Sequence, residues 1–303
     1  MYVKGNYLYK ELAIIAPTAS GKTALSIKLA HKLNAVILSL DSLAVYKKID
    51  IASAKPTVVE RDGIKHFGID CIYPNEVFDV IEFYEEYKKA KQYAIAHEKN
   101  LIIVGGTGFY LKSLCDGLSS TPYITDETKV KVQEELQDIE KLYKKLYTLD
   151  STYMKKIAST DRYRIEKAAQ LHFETKLTPS LYFAQNKPEP IIENLDIYEI
   201  ETDVEVLRER IKKRTQMMLK DGIIDEVIAL EKEYTRAPNS MGSIGIVETL
   251  DYLDSKINKK ELEELISIHT AQLAKRQRTF NKSQFTNVKK ESLEKIAKII
   301  LSQ

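Results

Sequence analysis

Residues Ala16-Pro-Thr-Ala-Ser-Gly-Lys-Thr23 constrain this chain more than any other stretch, because they join the apolar run Leu12-Ala-Ile-Ile-Ala16 to a helical pattern. A buried strand, a glycine-containing turn, Lys-Thr and a helix are the layout of a P-loop. Such a turn wraps oxyanions with its backbone N–H groups, which assigns Ala16, Thr18, Ala19, Ser20 and Gly21 to phosphate contact, with Pro17, which has no N–H, as part of the same phosphate-binding turn. Lys22 would reach the outer phosphates, and the hydroxyl of Thr23 would meet Mg²⁺. Ala16 stands where the motif has its first glycine. The motif says that a phosphate binds; it does not say which.

The first third of the chain alternates short apolar runs with helical patterns. Leu12–Ala16, Val36–Leu40 and Leu101–Val104 are too short and continuous for amphipathic helices and read as buried parallel strands. Between the last two, Asp79 with Glu82 can cap a helix in which Val80, Phe83, Tyr84, Tyr87 and Ala94 recur at helical spacing. From about Asp126 to Lys187 no strand-like run occurs; Val132, Leu136, Ile139, Tyr143 and Leu146 mark one long amphipathic helix, followed by shorter ones. The prolines of Asn186-Lys-Pro-Glu-Pro190 close that segment as a linker. Strand character returns at Ile197–Glu201, and a helix runs from Asp203 to Lys220, ended by Asp221-Gly222. The expected architecture is α/β, a P-loop core with a parallel sheet flanked by helices, formed by residues 1–119 and 193–303, with an all-helical insertion at 120–192.

Bulk properties exclude several classes. A net charge of +2 advertises no global field for polyanions, so any basic surface is local. Two cysteines, Cys71 and Cys115, outside any C-x-x-C pair argue against a disulfide scaffold and structural zinc. No apolar run approaches a membrane span, and Met1–Asn6 lacks a signal-peptide core, so a cytoplasmic protein is expected.

In a parallel sheet the C-terminal strand ends share one edge, where ligands bind. The P-loop follows the first strand, Asp41-Ser-Leu43 the second and Gly105-Gly-Thr-Gly108 the third. Asp41 can organise Mg²⁺ through water, act as a general base, or simply cap a helix that follows the strand. Thr107 offers a hydroxyl on the same edge. Nearer the C-terminus, residues 265–290 contain no acid but hold Lys275, Arg276, Arg278, Lys282, Lys289 and Lys290. Leu262, Leu265, Ile266, His269, Leu273 and Arg276 follow the inward stripe of a helix, whereas Ala271, Lys275, Arg278 and Lys282 share another face. Without acidic partners at i±4, that face suits a polyanion. His269 on the apolar side reads as a core histidine. Arg210 and Arg214, four apart, can present one cationic face to a phosphate group.

Taken in order, Ala16–Thr23, Asp41-Ser-Leu-Ala-Val-Tyr46, Asp50-Ile-Ala-Ser-Ala-Lys-Pro56, His66–Asp70, Gly105-Gly-Thr-Gly-Phe-Tyr110 and Gln272-Leu-Ala-Lys-Arg-Gln277 resemble the bacterial tRNA dimethylallyltransferase family. The resemblance covers roughly residues 12–121 well and 196–285 moderately; in the insertion it rests on Asp161, Arg164 and Lys167. It implies prenyl transfer from dimethylallyl diphosphate to the exocyclic amine of the adenine beside the tRNA anticodon, with Mg²⁺. It further implies Asp41, Thr107 and Arg214 as catalytic residues and Ala16–Thr23 as the diphosphate site. Ser42, Leu43, Lys129, Arg164, Lys167, Gln272, Lys275, Arg276 and Arg278 would contact tRNA, the insertion gripping the anticodon stem-loop. Four residues depart from the family pattern: Ala16 for glycine, Ile246 for tyrosine, Ala271 for arginine and Lys167 for arginine. A P-loop small-molecule kinase is the competing enzyme; it leaves the acid-free helix unexplained. A GTP switch would need D-x-x-G, which this chain lacks.

Overall fold

The computed structural model describes residues 3–4 and 7–302, so the leader-free reading of Met1–Asn6 falls mostly outside the described residues. The chain divides into two compact units, Met1–Cys115 with Ile192–Gln303, and Asp116–Ile191. The first unit opens on a short antiparallel pair, β1 (Val3–Lys4) and β2 (Tyr7–Leu8). There follow β3 (Glu11–Ile15), α1 (Lys22–Lys32), β4 (Ala35–Leu40), β5 (His66–Phe67), α2 (Val80–Ala96), β6 (Asn100–Gly105) and α3 (Gly108–Asp116). The second unit holds α4 (Asp126–Glu135), α5 (Ile139–Leu149), α6 (Ser151–Met154), α7 (Arg162–Thr175) and α8 (Pro179–Gln185). The chain then returns to the first unit with β7 (Asp196–Ile200), α9 (Val204–Asp221), α10 (Ile223–Tyr234), α11 (Ile246–Leu253), α12 (Lys259–Gln284), β8 (Lys289–Glu291) and α13 (Leu293–Leu301).

Six strands form one parallel sheet in the order β5-β4-β6-β3-β7-β8. The apolar runs occupy its middle, and Ile14, Ile37, Ile102 and Tyr198 are at most 1% exposed. Each aliphatic side chain so buried is worth about 1.5–3 kcal/mol. Leu29 and Ala30 of α1, with Ile296 and Ile300 of α13, belong to the same core. The outermost strands are only two and three residues long, which leaves little unpaired edge.

Helix boundaries follow local chemistry. Asp79 accepts from the N–H groups of Ile81 and Glu82 and starts α2, whose buried face is Phe83, Tyr87, Ala90 and Ala94. Gly222, at φ 99°, ends α9 in the left-handed conformation. The insertion departs from expectation. Its apolar stripe does not run along one long helix, because a 3₁₀ turn at Leu136–Asp138 separates α4 from α5. Asp138 accepts from the Lys141 N–H at 3.0 Å and restarts the helix with a new cap. Val132, Leu136, Leu142 and Leu146 still share one core with Ile165 and Ala169 of α7.

The registers fix the functional edge. Ile15 of β3 and Leu40 of β4 both pair with Gly105 of β6, so three strands end level with one another. A Cβ on Gly105 would lie 2.3 Å from the Leu40 carbonyl oxygen, inside hard contact. Gly105→Ala is therefore expected to destabilise the fold by about 1–3 kcal/mol, read as a lower midpoint in urea unfolding of the full-length chain.

Candidate active site

The P-loop takes its shape from two left-handed residues, Ala19 at φ 62° and Gly21 at φ 91°. Ala16 is not among the positive-φ residues and is fully buried, so alanine is accommodated where the motif has glycine. Ser20 is 1% exposed, and its hydroxyl has no hydrogen-bond partner among the described residues. An orphaned buried hydroxyl is costly unless something fills the site, and an oxyanion would satisfy it.

Two cations face this loop, and among the described residues no carboxylate is bonded to either. Lys22 Nζ donates to the Pro17 carbonyl at 3.3 Å. Desolvation by burial lowers its pKa to about 8; the charge of Asp41 opposes that shift and the charge of Arg214 adds to it. Arg214, on α9, donates to the Thr18 hydroxyl at 3.1 Å and to the Ser53 carbonyl at 3.4 Å. Burial lowers its pKa as well, while Asp41 raises it; a guanidinium keeps its proton regardless. One turn earlier, Arg210 donates to the Ser20 carbonyl at 3.0 Å. These residues line a cleft of about 1320 Å³, walled also by Ile51, Lys55 and Met217. Positive charge held in a desolvated cradle calls for an anion.

Asp41 emerges one strand over. Its Oδ1 accepts from the N–H groups of Leu43 and Ala44 at 2.9 and 3.1 Å, so Asp41 does cap with one oxygen, but it caps a turn and not the helix expected after the strand. Oδ2 makes no hydrogen bond among the described residues and is available for a proton. The Thr107 N–H donates to the Leu40 carbonyl at 3.0 Å, which ties the third strand end to the residue before Asp41. Behind both, Gln277 of α12 accepts from the Thr18 N–H at 2.9 Å and lies against Gly106, where a Cβ would come within 2.3 Å of its amide nitrogen. The Thr18 N–H is thus committed to Gln277 and does not serve an oxyanion.

Among the described residues no group of three or more His, Cys, Asp or Glu side chains could hold a metal by itself. The residues instead suit a divalent ion held mainly by phosphate oxygens, with the exposed Thr23 at the start of α1 as the protein ligand. The arrangement can therefore bind a diphosphate, stabilise charge on it as it leaves, and accept a proton beside it.

The IPP transferase family model matches residues 44–284. The chain belongs to this family. A tRNA dimethylallyltransferase of Aliarcobacter butzleri is 58% identical over 92% of this chain and 93% of its own length. One from a Sulfurovum strain is 56% identical over 98% of this chain and 99% of its own. The crystal structure of a eukaryotic dimethylallyltransferase acting on tRNA superposes with a TM-score of 0.80 at 25% identity, covering 93% of this chain and 74% of that one. No helix among the described residues is long and apolar enough to cross a membrane.

Family membership makes the remaining positions informative. Ser42 is exposed and Leu43 half-buried beside Asp41. On α12, Gln272, Lys275, Arg276 and Arg278 are exposed, and none of the three cations forms an ion pair among the described residues. The inward stripe of that helix is Leu262, Ile266, Ala274 and Asn281, so Arg276 belongs with the outer cations and not with the core. Ala271 packs against Leu207, Ile211 and Ala274 and leaves the basic face. Lys289 and Lys290 leave it too, being paired across strands with Asp196 and Glu199. His269 is no core histidine; its side chain is 41% exposed and its Nδ1 meets the buried Glu248 carboxylate. In the insertion, Lys129 pairs with Asp126 at 2.8 Å, Arg164 with Asp161 at 3.5 Å, and Lys167 donates to Gln170 at 3.2 Å; all three are exposed. Ile246 is fully buried in an apolar cluster with Ile223, Met241 and Leu250.

The lysine carries a pH test. Below about 8 Lys22 is protonated and attracts diphosphate; above it the free site loses that charge. The dissociation constant of inorganic diphosphate is expected to be level from pH 6.5 to 7.5, then to rise toward tenfold per pH unit. Titration calorimetry at pH 7, 8 and 9 reads it, and a flat profile would show that Lys22 stays charged when the site is empty.

Proposed function

We propose that this chain transfers a dimethylallyl group from dimethylallyl diphosphate to the N6 amine of the adenine 3′ to the anticodon in tRNA, releasing diphosphate. The observation that carries this reading is one sheet edge that presents a cationic cradle and a carboxylate oxygen, both without a bonded partner of opposite charge among the described residues, in a chain of the IPP transferase family. A small-molecule kinase would use the same loop, but the relatives that match nearly the whole chain are named tRNA dimethylallyltransferases.

In this reaction the adenine N6 lone pair forms a bond to the allylic carbon while the carbon–oxygen bond to the diphosphate breaks. The amine is a weak nucleophile because its lone pair is delocalised into the ring. Asp41 Oδ2 takes the N6 proton as the bond forms. Lys22 and Arg214 stabilise the charge that grows on the departing diphosphate, the Ser20 hydroxyl meets one of its oxygens, and Thr107 lies at the reacting region. Thr23 is the residue that would hold Mg²⁺, which when bound would supply further charge neutralisation.

The adenine has to leave its stack to reach that edge. We assign Ser42 and Leu43 to the flipped base, and Gln272, Lys275, Arg276 and Arg278 to the RNA backbone. Lys129, Arg164 and Lys167 of the insertion contact the anticodon stem-loop. RNA loops are held in this way, by splayed bases and phosphate contacts.

Purified protein given radiolabelled dimethylallyl diphosphate, Mg²⁺ and unmodified tRNA is expected to place the label in RNA. ATP-dependent phosphorylation of a small metabolite without RNA labelling would overturn the reading. Asp41→Ala is expected to bind diphosphate as the parent does while transfer slows about 10²–10⁴-fold; loss of diphosphate binding would instead make Asp41 a metal-organising residue. Affinity for tRNA is expected to fall steeply between 50 and 200 mM salt, by about 0.9 log unit per log unit of salt for each phosphate contact at most. A salt-independent affinity would remove the outer face of α12 from the interface.

A further inference from the structure

The turn Asp50–Ala54 forms part of the wall of the cleft that holds Lys22 and Arg214, and no motif explains why it stays in place. Its geometry is demanding. The Ala54 N–H closes a turn on the Ile51 carbonyl at 3.0 Å, and Ala54 itself sits at φ 47°. The buried Ser53 hydroxyl donates to the Ile49 carbonyl at 2.5 Å. Three successive backbone N–H groups, those of Asp50, Ile51 and Ala52, point away from the turn. One carboxylate takes all three: Glu226 on α10 accepts from Asp50 and Ile51 through Oε2, at 2.9 and 2.7 Å, and from Ala52 through Oε1, at 2.9 Å.

The next carbonyl along, that of Ser53, accepts from Arg214 at 3.4 Å. Arg214 has one other bond, to the Thr18 hydroxyl, and no acidic partner bonded to it among the described residues. Its direction is therefore set by two neutral oxygens, one of which belongs to a turn that Glu226 holds. A carboxylate accepting from several N–H groups makes charge-assisted bonds about twice as strong as neutral ones. Glu226 forms no ion pair among the described residues, so its charge is spent on the turn.

Resting on the prenyl-transfer reading of this site, we propose that Glu226 is a positioning residue for the reaction. It fixes the turn Asp50–Ala54 so that the Ser53 carbonyl aims the Arg214 guanidinium at the leaving diphosphate. Glu226 touches no substrate in this scheme; its effect passes through Arg214.

The test is a double-mutant cycle in the full-length protein, read by binding of inorganic diphosphate and by kcat and KM for the allylic donor. Glu226→Gln keeps the shape of the side chain but replaces one accepting oxygen by an NH₂ group facing an N–H. It is expected to weaken diphosphate binding about tenfold and to lower kcat/KM by at least as much. In an Arg214→Gln background the same change is expected to alter diphosphate binding by less than about twofold, because the group it positions is gone. Glu226→Asp, which keeps the charge, is expected to recover part of the loss and replaces the glutamine variant in the cycle if that variant does not fold.

Losses that simply multiply across the cycle would overturn the proposal and make Glu226 a stabiliser of α10 alone. So would a Glu226→Gln protein with a lower melting temperature and unchanged diphosphate affinity. The two readings fail separately. If the parent protein binds diphosphate through Arg214 but labels no tRNA, the transfer reading falls and the positioning role stands. If it binds no diphosphate, both fall.

Discussion

The level ending of three parallel strands at Gly105 is the constraint on which everything else rests. Ile15 and Leu40 meet Gly105 from either side, and the absence of a side chain there lets the Leu40 backbone approach. Neighbouring strands lie about 4.8 Å apart. The P-loop, Asp41 and Thr107 therefore leave the sheet within two strand spacings of one another. The register of the sheet brings the P-loop and the Asp41 carboxylate to one edge.

Electrostatics then gives that edge a direction. Lys22 and Arg214 are desolvated on one side, and Asp41 is the acid whose charge acts on both. An opposite charge left at a distance supports the cations without neutralising them. The carboxylate in turn keeps one oxygen fixed by two backbone N–H groups and the other unbonded among the described residues. Such a division orients the group while leaving it able to take a proton. Capping and catalysis, alternatives in the sequence, are compatible once the two oxygens are considered separately.

Most of the sheet was legible because its middle strands are short, largely apolar runs, and burial on both faces permits little else. Helix starts with a strong cap, such as Asp79, were legible too. The insertion was read less well. Leu136 and Ile139 fit a continuous helical stripe, and nothing in that spacing announces that Asp138 caps a new helix. Arg276 was misplaced because i, i+3 spacing from Leu273 put it on the wrong flank of α12. Ala271 was grouped with cations on spacing alone, whereas α9 packs against it. Glu226, Ser53 and the Gln277 bond to Thr18 escaped entirely as partners. They join residues 161 to 259 positions apart or act through main-chain atoms, for which side-chain identity carries no signal.

Helix α12 unites two jobs along 26 residues, a rod of about 39 Å. Gln277 grips the P-loop at Thr18 and rests on Gly106, while Lys275 and Arg278, within two residues of it, project into solvent. A rod this stiff cannot shift at one flank and stay still at the other. A displacement of the helix as a body would move, through the amide of Gln277, its contacts with both glycine-bearing loops.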